Sequence, residues 1–197
     1  MKEILLASAS PRRKEILELL EIPFTQATSF VDESLISHKN PIKLVSALAL
    51  LKAKAIVKQA NNNQIVLGAD TVVVYRKTIL GKPNNPEDVY AYLRKLSNKC
   101  HKVITAIALH DIEENTYFVK HCITKVRFGP ITDEDIKGYI KTQEPYDKAG
   151  AYAIQGIGST FVKWIKGDYY NVVGLPISTL LDGLSQLGYH YFKDLKR

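Results

Sequence analysis

The tract IVLGADTVVVY, residues 65–75, decides the fold. Two apolar runs, Ile65-Val66-Leu67 and Val72-Val73-Val74, flank Gly68 and Asp70, which reads as a buried strand interrupted by one carboxylate. An unpaired carboxylate inside such a strand is costly. The reading therefore puts Asp70 at a bend beside Gly68, within reach of a metal ion, a cation or water. On the residues alone an Asx-turn role and a catalytic role both stand open.

Working outward, Asn40-Pro41 is a helix cap followed by proline at the first helical position. Leu44, Leu48, Leu51 and Ala55 then predict the apolar face of a helix over 41–60. Lys52, Lys54 and Lys58 run alongside, either as solvated flanks whose stems cover apolar surface or as a source of one lysine for an anionic cleft. Nearer the start, ILLA at 4–7 reads as a short buried strand, and Ser10-Pro11 opens a helix with Ile16, Leu17 and Leu20 on one face. Ser8, Ser10, Arg12 and Arg13 cluster at that strand–helix junction, where backbone N–H groups and arginines together suit phosphate.

Downstream, Tyr75 to Leu80 predicts a hairpin, and a helix starts after Asn85-Pro86 with Val89, Leu93 and Leu96. Segments 102–110 and 116–128 are extended and joined by the turn DIEEN; the second mixes polar and apolar side chains on one parity, as a long or edge strand does. Thr132 and Asp135 cap a helix carrying Ile136 and Ile140. Residues 142–160 are punctuated by glycine and proline and hold Asp147, Lys148 and Gln155. FVKWI predicts a strand, and Pro176 precedes a last helix with Leu180, Leu181, Leu184 and Leu187, closed by Gly188. Strands alternating with helices make the chain α/β, read as a single domain over 1–197.

With 46% hydrophobic and 24% charged residues, the 197-residue chain is not a disordered one. No window approaches 18 consecutive apolar residues, so no membrane span is expected, and the apolar run in MKEILLASASPRR is too short for a signal peptide. A formal charge of +7 favours anionic partners, but the charges are dispersed, with no basic tail or dense stripe, so no stable nucleic-acid partner is expected. Cys100 and Cys122 lack metal-site spacing and read as thiols of a reducing, cytoplasmic compartment.

Six pieces of this sequence stand in one order: LASASPRR at 6–13, Asp32-Glu33, the Lys52–Lys54 helix, LGADTVV at 67–73, LGKP at 80–83, and DKAGAYAIQG at 147–156, with NVVGLP at 171–176 closing the series. Together they resemble the Maf family, the septum-formation-inhibitor-like nucleotide pyrophosphatases. The resemblance implies a Maf-like α/β domain with a mixed, strongly twisted sheet, helices around it and a central nucleotide cleft. It implies hydrolysis of a nucleoside triphosphate to the monophosphate and pyrophosphate, a housecleaning role in nucleotide metabolism. A divalent cation, Mg2+ or Mn2+, is the implied cofactor, and a homodimer the implied assembly.

The DKAGAYAIQG version is similar to the branch acting on dTTP and UTP. By motif position Asp70 is the implied proton acceptor, with Glu33, Lys52 and Lys82 as polar catalytic residues and Glu33 and Asp70 as metal ligands. Ser8, Arg12, Arg13, Thr71, Asp147, Lys148 and Gln155 are the implied substrate-binding positions, with Arg12, Thr71 and Gln155 setting base preference. The chain departs from the family at SNKCHKV, 97–103, where Asn98 replaces glycine.

The chemistry of the residues agrees with that implication. Cleavage between the first and second phosphates needs an aimed water and countercharge on the leaving pyrophosphate. An ordinary aspartate, with a pKa of about 3.9, is a poor base. Water oriented by a carboxylate-held metal is therefore preferred to unaided proton abstraction by Asp70. Two other readings carry distinct signatures: a purine-selective ITP/XTP pyrophosphatase keeps the product but changes the base, and a nucleic-acid-binding cell-division regulator needs a basic track with aromatic stacking.

Overall fold

The computed structural model describes residues 2–194. In chain order its regular elements are β1 (Glu3–Ala7), α1 (Pro11–Leu19), β2 (Phe24–Ala27), α2 (Pro41–Ile56), β3 (Gln64–Tyr75), β4 (Thr78–Leu80), α3 (Pro86–Leu96), β5 (Cys100–Asp111), β6 (Thr116–Phe128), α4 (Asp133–Ile140), β7 (Val162–Lys166), α5 (Tyr169–Val173), α6 (Ile177–Gln186) and α7 (Tyr191–Asp194). The strands follow the order β2-β1-β3-β5-β6-β7, with β4 also on β3. Pairing is parallel for β1 with β2 and β3, and antiparallel for β3–β4 and β6–β7. This mixed α/β sheet is the expected class.

The chain gathers into two compact units. The first comprises the residues up to Asp70, Thr105–Cys122 and the segment from Gly174 onward; the second comprises Thr71–Ile104 and Ile123–Val173. In the first unit the parallel β1 core (Ile4, Leu6) and β3 core (Ile65, Leu67) are sealed by Leu17 of α1 and Ile56 of α2, all fully buried. Asn40 caps α2 as expected, its side chain accepting from the N–H groups of Ile42 and Lys43. The buried stripe of α2 is Val45, Leu48, Ala49, Ala53 and Ile56; of the expected Leu44, Leu48, Leu51 and Ala55, Leu48 is buried while Leu44 and Leu51 are half-buried, so the face is rotated from the expected one. The reason is Gly68: a Cβ there would run into the Ala49 carbonyl oxygen and lie 2.7 Å from Ala53 N, so small residues of α2 lie directly against the strand. Ala55 is exposed.

The second unit is built on Val89, Leu93 and Leu96 of α3, Ile136 and Tyr139 of α4, and Val73, Val103, Val126, Phe128 and Tyr152. The expected caps of both helices form: Asn85 accepts from Asp88 N, and Thr132 with Asp135 makes a reciprocal capping box. β7 pairs with only the last stretch of β6, from Lys125 to Phe128, which accounts for the mixed patterning of the rest of that strand. Asn98 takes the left-handed conformation (φ 53°) that asparagine tolerates better than most residues. Its N–H donates to Gly129 O at 2.7 Å, so replacing glycine leaves this turn intact. α5 and α7 had no counterpart in the sequence reading, and no disulfide joins Cys100 to Cys122. Among the described residues no helix is long and apolar enough to cross a membrane.

Candidate active site

In the first unit, β3 brings Asp70 beside α2. The carboxylate is 7% exposed, and Lys52 Nζ donates to its Oδ1 at 2.5 Å. The same ammonium lies 2.9 Å from Glu33 Oε1. Glu33 rather than Asp32 reaches it because Asp32 caps the 3-10 turn Glu33–Leu35, accepting from the Ser34 N–H and hydroxyl at 3.0 and 2.6 Å. Burial pushes the Asp70 carboxyl above the ordinary aspartate range; Lys52 and Arg13 pull it back, and Glu33 adds to the rise.

Ser8 and Arg13 complete this cluster. Ser8, 7% exposed, accepts from Ser10 N at 3.2 Å and from Arg13 NH1 at 3.0 Å. Ser10 is the N-cap of α1 with Pro11 following, as expected; its side chain makes no cap hydrogen bond, and its own N–H donates to Ser8 Oγ. Arg13 Nε donates to Gly174 O at 2.9 Å, and Gln26 Nε2 donates to Ser8 O at 2.5 Å. These two contacts explain why the guanidinium is fixed, and the sequence reading missed both. Gly174 does lie within NVVGLP, whereas Gln26 carried no signal. Burial, and the neighbouring Arg12, lower the Arg13 pKa, while Asp70 and Glu33 raise it.

In the second unit, Thr71 is half-buried on β3 and Lys82 is exposed after β4. Gly150 N donates to Gly81 O at 2.9 Å, tying the LGKP turn to the DKAG segment. There Lys148 pairs with the Asp147 carboxylate and donates to Glu144 O at 3.2 Å. Gln155 is exposed on the following turn. Asn171 of NVVGLP is fully buried and donates to Val103 O and Thr124 Oγ1, both at 3.0 Å, which gives it a structural task. Glu144, also missed from sequence, is the residue on which this segment hangs.

The donor chemistry around Asp70 fits a divalent cation of the magnesium type. Two carboxylate oxygens, Asp70 Oδ1 and Glu33 Oε1, already converge on one positive centre, the Lys52 ammonium. Such ions take one or two carboxylates together with phosphate oxygens and water. Among the described residues no group of three or more His, Cys, Asp or Glu side chains gathers in metal-binding fashion.

The chain is similar to proteins of described activity along nearly its whole length. A dTTP/UTP pyrophosphatase of Bacillus mycoides is 48% identical over 186 residues, spanning 94% of this chain and 96% of its own. Two dTTP/UTP pyrophosphatases of Bacillus cereus strains are 48% and 47% identical over the same shares. Among solved structures, the Ham1 protein of Staphylococcus aureus superposes with a TM-score of 0.44 at 16% identity, over 64% of this chain and 72% of its own. A nucleoside-triphosphatase, dITP/XTP pyrophosphatase, of Mycobacterium abscessus gives 0.41 at 17%, over 66% and 75%. The sequence profile described as "Maf-like protein" matches residues 3–187, so the six motifs and the Ser8–Arg13–Asp70 cluster they build lie within one continuous match: the chain belongs to the Maf family.

Proposed function

We propose that this chain hydrolyses dTTP and UTP between the first and second phosphates, giving the nucleoside monophosphate and pyrophosphate. The observation that carries the proposal is the buried Asp70 carboxylate held with Glu33 about the Lys52 ammonium, in a chain 48% identical to dTTP/UTP pyrophosphatases. A carboxyl raised by burial is a better proton acceptor than an ordinary aspartate, which is what attack by water on phosphorus requires. Lys52 draws the Asp70 carboxyl back toward the ordinary range and, by donating to its Oδ1, orients it. Arg13, anchored at Ser8 and Gly174, presents a fixed positive charge for phosphate oxygens.

Asp70 and Glu33 are the residues that would hold a divalent cation, Mg2+ or Mn2+. When bound, that ion supplies countercharge to the phosphates and a more acidic water. Lys82, Asp147 and Lys148 are proposed phosphate contacts, and Arg12, Thr71 and Gln155 base-selecting ones. The family likeness supports a homodimer working in the cytoplasm, the first checked by light scattering and the second by cell fractionation.

Incubating the chain with a nucleotide panel and Mg2+ or Mn2+, then separating products by anion exchange, tests the activity. dTMP or UMP with pyrophosphate is expected. Orthophosphate with a diphosphate rejects the cleavage position, and preference for ITP or XTP establishes the purine-selective alternative. In Asp70→Asn, which keeps the volume but removes the charge, single-turnover hydrolysis should fall at least about a hundredfold with the circular dichroism spectrum unchanged. Near-native turnover in that folded variant would remove Asp70 from the mechanism.

A further inference from the structure

The turn that carries Gln155 is held from outside itself, by one carboxylate. Glu144 Oε2 accepts from Ile157 N at 2.8 Å, and its Oε1 accepts from Gly158 N at 3.0 Å and from the Tyr139 hydroxyl at 2.8 Å. Two glycines make room for this. A Cβ on Gly156 would come within 2.6 Å of the Glu144 carboxylate carbon, and one on Gly158 within 2.7 Å of the Tyr139 hydroxyl. The carboxylate is thus seated directly under the residue that follows Gln155. Burial would raise its pKa, but the two backbone N–H groups, the tyrosine hydroxyl and Lys148 hold it below the ordinary glutamate range, so it is anionic at neutral pH. The backbone carbonyl of the same residue accepts from Lys148 Nζ at 3.2 Å. Glu144 therefore connects three of the residues assigned to substrate, Asp147 and Lys148 on one side and Gln155 on the other.

Capping a five-residue 3-10 helix, Ile157–Phe161, explains one acceptor oxygen at most. Two charge-assisted contacts to successive N–H groups, with a third donor from α4, fix two consecutive peptide planes, Gly156–Ile157 and Ile157–Gly158, and so hold the turn from which an exposed glutamine presents its amide. We infer that Glu144 is a positioning residue for base selection, its carboxylate fixing the Gly156–Gly158 turn and with it the Gln155 amide. The inference rests on the reading of Gln155 as a base-selecting residue.

The test compares wild type with Glu144→Gln, Gly156→Ala, Gln155→Ala and the double variant Glu144→Gln/Gln155→Ala. It measures Kd for the non-hydrolysable α,β-imido analogues of dUTP and dCTP, and kcat/KM for dTTP, UTP and CTP. Glu144→Gln has one acceptor oxygen for three donors. Gly156→Ala leaves Glu144 in place but pushes its carboxylate off the turn, which keeps the question open to measurement if the first variant fails to fold. Both should reduce the dUTP-over-dCTP preference about tenfold, chiefly through Kd and KM rather than kcat. In the double variant the preference should fall no further than in Gln155→Ala alone, because the two residues act as one unit. An equal loss on every base, or additive losses in the double variant, overturns the inference and makes Glu144 a structural cap. If Gln155→Ala keeps the wild-type preference, the reading of Gln155 fails and takes the inference with it. Absence of pyrophosphate release by the wild type tells against the proposed reaction alone, since the analogue binding is scored separately.

Discussion

Acid should loosen this protein through a histidine that takes no part in the chemistry. His101 on β5 is 2% exposed, its ring edge-on to Phe128 and Tyr152 at centroid distances of 4.8 and 5.4 Å. Its Nε2 shares a hydrogen bond with the Tyr152 hydroxyl at 2.8 Å, while its buried Nδ1 has no hydrogen-bond partner among the described residues. Burial lowers its pKa from 6.5 to about 3. The unfolded chain therefore binds this proton first as pH falls, and stability is lost between those two values. At about 1.4 kcal/mol per pH unit, the loss attributable to His101 between pH 7.5 and pH 4 is about 3 kcal/mol.

His101→Phe removes the titration but orphans the Tyr152 hydroxyl, at a cost of about 1–3 kcal/mol that does not vary with pH. The double variant His101→Phe/Tyr152→Phe removes both ends of the hydrogen bond and keeps the aromatic packing. Urea unfolding at pH 7.5 and pH 4 should show wild type losing about 3 kcal/mol more than the double variant, a midpoint difference of about 1–2 M. Parallel losses in the two proteins would refute the assignment of a neutral, buried imidazole.

Lys52→Met withdraws the cation that holds the Asp70 carboxyl down, so that carboxyl rises further. A raised acid stabilises the fold below its unfolded pKa and loses that contribution as pH climbs through its folded one, so the variant should fall away from wild type with rising pH, by up to about 3–5 kcal/mol at neutrality. Thermal melts at pH 4.5 and 8 check the sign, and a deficit that does not grow with pH contradicts it. Gly68→Ala should cost about 1–3 kcal/mol by overpacking α2 against β3 and should also depress turnover. Melting temperature and kcat measured together test this, and native values of both would show that the helix yields without consequence.

What could be read from the sequence was whatever is enforced locally. The Asn40, Asn85 and Thr132 caps answer to donors two or three residues away, and all three form. Ser10 stands at the N-cap of α1 with Pro11 after it, as expected, but its hydroxyl makes no cap hydrogen bond, and the Ser8 hydroxyl is held by Arg13. α5 and α7, with five and four residues, are too short to show periodicity. The family motifs named candidate residues for the site but not the contacts among them. Lys52 reaches Asp70 because a helix packs on the strand it precedes, and Arg13 reaches Gly174 across 161 positions of chain. Glu144 gave one sign, two glycines spaced to accommodate it, which becomes readable only once the carboxylate is seen beneath them.

The Lys52–Asp70 contact has a gauge, and the gauge is a side chain that does not exist. Gly68 and Asp70 project on the same side of β3, and the backbone of α2 rests on the first of them at Ala49, one helical turn before Lys52. The separation of two charges is thereby set by hydrogen at a neighbouring position that never meets solvent or substrate. Mutational tolerance in this region should then track backbone clearance more than distance from the nucleotide: swapping a charged side chain at the site leaves the gauge intact, whereas a single methyl on the strand resets it. Side-chain changes have most latitude on the exposed turn at Gln155 and least along the Gly68–Ala49 seam, where the Lys52–Asp70 geometry and the packing are one dimension.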